Sequence, residues 1–311
     1  MLTLPKIIST SVVRSAHQGE SHGGIYLVDL ETGATCRKVD WNTCAIDWEG
    51  RGGDRGLRGI TFHNNEIYIA ASDEIIIYDT GFKRIRSLRN SYLRHCHEIT
   101  VHRDKLYISS TGYDSVLVYD ISANCFVKGY CARLSGNRGF SVTAFDPNSA
   151  DGPAFGDSLH LNSVFVDHEG LHIAGHQLPF IILIDAAGIY RYGKLPAGTH
   201  NARPCNGGLL FNHTAANSIY MTRRDSTLIK SYPIHIYDEQ ELENSALPND
   251  HARQGFGRGL CIINDGEIIA AGSSPSTISV YSMKTGKTIK RINLTMDVRH
   301  AIHGLEVWPH P

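Results

Sequence analysis

Histidine, arginine and asparagine stand at one repeated place in this chain, and these residue types ligate metals, bind anions and orient carbonyl groups. Six short apolar strands are opened by Arg58, His97, Asn162, His200, Arg258 and His303 in turn. Histidine occupies every second copy. If the copies close into a ring, His97, His200 and His303 converge on its axis in a triangle. Three neutral imidazoles on rigid strands, open on one side, suit a divalent metal such as zinc, iron or manganese, because the remaining positions take water and substrate. The same residues also fit channel histidines bonded to water or backbone, and acid–base catalysis without a metal.

Arg58 and Arg258 open the copies that flank that of His303, and Arg203 lies three residues into the His200 strand. Guanidinium groups there bind carboxylate, phosphate or sulfate, or else pair with Glu98 or Glu306 and brace the ring. Asn162, with His160 two residues before it, suits orienting a hydroxyl or carbonyl and moving a proton. His160 also fits a fourth ligand. His176, expected between the second and third strands of that copy, is a further proton-transfer candidate. Glu98 follows His97 and suits orienting a neighbouring ligand or pairing with an arginine. Cys96 and Cys205 lie near the strand openings without a local base to activate them.

The elements that position these residues come from an internal repeat. Arg58-Gly-Ile-Thr-Phe-His-Asn-Asn-Glu-Ile-Tyr-Ile aligns without a gap on His97-Glu-Ile-Thr-Val-His-Arg-Asp-Lys-Leu-Tyr-Ile. Both run on into a third strand, Ile75–Asp79 and Val116–Asp120, and then a fourth. Copies opened by Asn162, His200 and Arg258 follow the same register. Asn, Asp, Gly or a charged pair divides the β-rich runs of each copy, a hairpin signal. The sixth copy is split: His303-Gly-Leu-Glu-Val-Trp supplies a first strand at the C-terminal end, and residues 7–13, 24–29 and 35–39 supply the other three. Joining them hides sheet edges.

Over essentially its whole length the chain resembles the six-bladed β-propellers. The expectation is an all-β single domain over residues 1–311, with four-stranded blades and two insertions on the mouth face, near 131–159 and 236–257. The first insertion reads as an irregular lid with aromatic contacts and the second as carrying a short helix. His160-Leu-Asn, His200-Asn-Ala-Arg and Gly257-Arg-Gly-Leu are similar to blade openings of a mostly uncharacterised bacterial propeller family. The three-histidine geometry resembles that of the peptidyl-hydroxyglycine amidating lyases, six-bladed rings that hold zinc through three histidines; this resemblance implies a metal role for His97, His200 and His303.

With 30 basic against 31 acidic residues, no global field gathers nucleic acid or an anionic membrane. Seven cysteines without paired spacing argue against a disulfide framework. The first residues lack a secretory pattern, and no apolar run reaches membrane-span length; a cytoplasmic location is expected. These features point to a metal-dependent lyase or hydrolase acting on a small anionic substrate. Two alternatives stay open: a non-catalytic recognition propeller for a peptide, glycan or acidic ligand, and a histidine-ligated iron oxygenase.

Overall fold

The computed structural model describes residues 3–17, 19–42, 56–136, 139–249 and 252–310. Its fold is all-β, a six-bladed β-propeller. The chain opens with β1 (Lys6–Val13), β2 (Gly24–Asp29) and β3 (Thr35–Asp40). A second run holds β4 (Ile60–His63), β5 (Glu66–Ala71), β6 (Glu74–Asp79) and β7 (Arg84–Arg89). The third has five strands, β8 (Cys96–His102), β9 (Lys105–Ser110), β10 (Ser115–Asp120), β11 (Cys125–Ser135) and β12 (Gly139–Phe145). Next come β13 (Leu161–Val166), β14 (Leu171–Gly175), β15 (Phe180–Ile184) and β16 (Ile189–Lys194), then β17 (Thr199–Cys205), β18 (Gly208–His213), β19 (Ser218–Thr222) and β20 (Leu228–Pro233). The last full run is β21 (Arg258–Ile263), β22 (Ile268–Ser273), β23 (Thr277–Ser282) and β24 (Thr288–Asn293), followed by β25 (His300–Val307).

Each run makes one sheet with sequential neighbours paired, and β25 joins the first in the order β25-β1-β2-β3. The split copy is therefore a real four-stranded sheet. Two details differ from the sequence reading. Residues expected in a lid instead prolong β11 to Ser135 and return as β12, paired from Gly129↔Phe145 to Ser135↔Gly139; alternating Phe140, Val142 and Ala144 suit a fifth, edge strand. The expected helix after Asp238 is one turn of 3-10 helix, Glu239–Glu241, held by an Asp238 capping box. Residues 137–138 and 250–251 of these insertions lie outside the described residues.

The sheets form because their third strands are runs that tolerate burial on both faces. Glu74–Asp79, Ser115–Asp120 and Thr277–Ser282 are buried at five successive positions each, whereas β3 is exposed almost throughout. Hairpins end where the chain reaches a positive φ, as at Asn206 and Gly207 (48° and 74°) between β17 and β18, the signature of a two-residue type I′ turn.

Two compact units make up the chain: Met1–Ile60, Asn212–Met221 and Leu228–Pro311 form the first, Thr61–Phe211 and Thr222–Thr227 the second. The first packs Ile7, Val28, Cys261, Ile278, Ile302 and Leu305 in one core. The second has two cores, one around Tyr68, Ile77, Ile108 and Leu117, the other around Leu161, Ile173, Leu178 and Ile182. Among the described residues no helix is long and apolar enough to cross a membrane.

Gly304 illustrates the close approach inside the first unit. A Cβ there would overlap the Arg58 carbonyl oxygen and lie 2.6 Å from Thr10 Oγ1, while Thr10 Oγ1 itself donates to that carbonyl and accepts the Gly304 N–H. Gly304→Ala is expected to cost about 1–3 kcal/mol of unfolding free energy through this overpacking, measured by urea denaturation.

Candidate functional site: a histidine group and an arginine group

Four first strands carry a β-bulge where the opening residue stands. Pairing shifts between Cys96 and Ile99 on β8, between Leu161 and Ser163 on β13, between Arg258 and Leu260 on β21, and opposite Thr10/Ser11 on β25, at His303. The extra residue bends the strand and re-aims its side chain. Beside the opening residues of β17 and β21, Asn201 and Gly259 take φ of 53° and 72°, a region that Asn and Gly tolerate best. All six opening residues are buried.

In the second unit the bulges and two connecting segments bring four imidazoles together. Ring centres lie 5.2 Å apart for His97–His160, 5.4 Å for His176–His200, 5.9 Å for His160–His176 and 6.2 Å for His160–His200. Two imidazoles bound through Nε2 to one tetrahedral zinc, at about 2.0–2.1 Å, have centres about 5 Å apart. His97–His160 matches that spacing, and His160–His200 needs a closure of about 1 Å.

Hydrogen bonds fix the tautomers. His97 Nδ1 is 2.8 Å from the His95 carbonyl and 2.7 Å from Thr111 Oγ1. The one hydroxyl proton of Thr111 goes to the Leu161 carbonyl at 2.5 Å, so toward His97 that oxygen accepts. Both neighbours of Nδ1 are thus acceptors, and the proton sits on Nδ1. His160 Nδ1 faces both Asp157 carboxylate oxygens at 3.0 Å, and His200 Nδ1 faces the Gly198 carbonyl at a longer 3.4 Å. In all three, Nε2 is left as the lone-pair nitrogen, the arrangement that a carbonyl or carboxylate imposes on a ligating histidine. His176 is the opposite: the Gln177 amide nitrogen donates to its Nδ1 at 3.0 Å, which puts the imidazole proton on Nε2.

The segment carrying His160 is held from below. Asp114, fully buried, accepts from the Ser158 N–H and hydroxyl, both at 2.8 Å, and from the Leu159 N–H at 3.0 Å. His160 itself has φ of 53°, a conformation that persists only where surroundings over-determine it. Its carbonyl accepts the His176 N–H, and the His176 carbonyl accepts the Gly198 N–H two residues before His200. One ladder of backbone bonds therefore spaces three of the four histidines.

Other sequence candidates make contacts of their own. Glu98 Oε1 accepts from Asn201 Nδ2 at 2.7 Å, which ties β8 to β17. Asn162 spends its amide on the Thr199 carbonyl and the Ser163 hydroxyl, each at 3.0 Å. Arg203 stacks over Phe165 at 5.7 Å. Burial raises the thiol pKa of Cys131 and Cys205, the reverse of what a nucleophile needs. Cys36, Cys125, Cys131 and Cys205 are free thiols; Cys44 lies outside the described residues.

Arginines gather in the first unit. Arg258 is buried and its Nη1 donates to Thr214 Oγ1 and the Gly257 carbonyl, both at 2.9 Å. Arg14 and Arg258 stack on the Phe256 ring at 3.8 and 3.9 Å, with Arg253 at 5.2 Å. Burial, then Arg58, Arg258 and Arg14 in that order, hold the His303 imidazole well below its ordinary 6.5, so it is neutral in the folded chain. The unfolded chain takes a proton near pH 6.5 that the folded chain refuses, so stability falls as pH drops below 6.5, by about 1.4 kcal/mol per unit for this group. Urea unfolding at pH 7.5 and 5.5 is expected to show a larger acid loss for the native chain than for His303→Gln.

Sequence reading missed Thr111, Asp114, Asp157, Arg14, Arg253 and Phe256. The Asp157-x-x-His160 spacing and the Gly or Asn after Arg58, His200, Arg258 and His303 were the available signals. Among the described residues, the grouping whose possible ligand atoms already lie within 4.8 Å of one another is a different one, Asp167, Glu169 and His172. Its members are already engaged: His172 Nε2 with Asp167 at 3.0 Å, and Glu169 with the Tyr192 hydroxyl and Arg224.

No protein-family model matches the chain, and no curated protein matches it. Among solved structures, a protein of unknown function from Bacteroides caccae is similar at 10% identity and a TM-score of 0.58, over 98% of this chain and 100% of that one; this likeness concerns the fold. A streptogramin B lyase structure is similar at 16% identity and a TM-score of 0.46, over 77% of this chain and 69% of that one.

Proposed function

We propose that the chain is a metal-dependent enzyme, a lyase or hydrolase acting on a small polar substrate with an anionic group. Nε2 of His97, His160 and His200 holds a divalent cation, zinc, iron or manganese, with positions left for water and a substrate oxygen. The observation that carries this reading is the shared tautomer: each Nδ1 faces an oxygen acceptor, leaving three Nε2 lone pairs on rings 5.2 and 6.2 Å from that of His160. His160 takes the third ligand place that the sequence reading gave to His303. Arg14, Arg58 and Arg258 act on His303, and like charge disfavours a cation there.

His176, with its proton on Nε2 and its ring partly exposed, is the group placed to give a proton to a leaving oxygen or nitrogen. Asp157 orients His160 through its Nδ1. Glu98 fixes the β8–β17 spacing through Asn201 instead of meeting substrate.

Chelator-stripped protein titrated with zinc or manganese is expected to bind one equivalent, and Asp157→Ala to weaken that binding about 10–100-fold. The metal-restored chain is then expected to turn over members of a panel of anionic esters and eliminable acids. Absence of stoichiometric binding contradicts the metal role; binding without turnover favours a structural ion.

A further inference from the structure

We infer that the arginine cluster of the first unit binds a doubly charged oxyanion of the phosphate class, with Arg258 at its buried end and Arg253 and Arg14 beside it. The inference takes from the proposed function only the anionic character of the ligand, and it stands on residues of the first unit alone.

Arg258 and Arg253 hydrogen-bond to neutral groups. Arg258 meets the Thr214 hydroxyl and the Gly257 carbonyl. Arg253 donates to Asn217 Oδ1 at 2.8 Å and to the Gln254 and Thr214 carbonyls at 3.2 and 2.8 Å. The Nε–H of Arg258 is buried and meets no acceptor among the described residues. Burial, followed by Arg14, Arg253 and Arg58, lowers the Arg258 pKa well below its ordinary value, so this guanidinium is surrounded by its own kind.

The chain pairs its other arginines differently. Arg299 lies on both Asp297 oxygens at 2.8 to 3.2 Å, and Arg86 is bidentate on Glu66 at 2.6 and 3.0 Å. Stacking on Phe256 at 3.9 Å holds the Arg258 plane without neutralising it. A buried cation without a counter-charge is costly, and guanidinium forks match phosphate oxygens in number and geometry. Several cations in one cluster favour a dianion over a single carboxylate.

The test uses the intact chain, stripped of metal and dialysed free of chelator, titrated calorimetrically with inorganic phosphate, phenyl phosphate and benzoate at constant ionic strength. Saturable one-to-one binding of a phosphate probe, with benzoate at least about tenfold weaker, is expected. Arg258→Gln is expected to abolish the binding and Arg253→Gln, which is only half-buried and spares the core, to weaken it about tenfold. Tighter binding of phenyl phosphate assigns a phosphate monoester, and equal binding assigns free phosphate; both support the inference. Absence of saturable binding, or binding unchanged in both folded variants, overturns it. Because metal is absent throughout, failure here leaves the histidine site standing, and loss of zinc binding leaves this site standing.

Discussion

Asp114→Ala is expected to lower the unfolding free energy by about 2–4 kcal/mol, read from urea denaturation. The carboxylate is fully buried and collects three donors, the Ser158 N–H and hydroxyl and the Leu159 N–H. Alanine strands the buried Leu159 N–H, at about 1–3 kcal/mol, and takes the acceptor from both donors of Ser158, an exposed residue that water reaches. Because Leu159 precedes His160, the same change loosens the ring that the proposed site needs most. Asp114→Asn keeps one acceptor oxygen and is expected to lose less on both counts.

The His97→Ala/His200→Ala variant is expected to bind zinc at least about 1000-fold more weakly than the native chain, a loss of about 4 kcal/mol. Both rings are buried on first strands, with Nδ1 facing carbonyl oxygens. Removing them leaves His160 as a single ligand, and one imidazole does not hold zinc against water at micromolar concentrations. Competition with a chromogenic chelator measures the change, and circular dichroism dominated by strand signal confirms that the fold survives. Undiminished affinity in a folded variant would place the metal elsewhere.

The fold was legible because its signals are local and repeated. Alignment of Arg58–Ile69 on His97–Ile108 carries the hairpin register, and the split copy was visible because residues 303–308 end without a second strand. Opening positions fall at the starts of β8, β13, β17 and β21 for the same reason. The prolongation of β11 was not legible, since Gly136 and Gly139 stand at the start of the returning segment and Asp146-Pro147 follow it, which are turn signals at both ends. Pairing with β11 decided it.

Less of the site was legible. His97 and His200 follow from strand register, but the ring of His160 is set by a positive φ and by Asp114, contacts between segments 44 residues apart. Tautomers depend on which atom faces each Nδ1, and sequence contains no direct trace of that. The arginine cluster was half visible: Arg58 and Arg258 open strands, whereas Arg14, Arg253 and Phe256 arrive from connecting segments.

The most direct measurement is an anomalous difference map at the zinc edge from a crystal of the chain grown with zinc. One peak within about 2.0–2.1 Å of Nε2 of His97, His160 and His200 is the predicted result. No peak there, or one bound instead by Asp167, Glu169 and His172, would contradict the account.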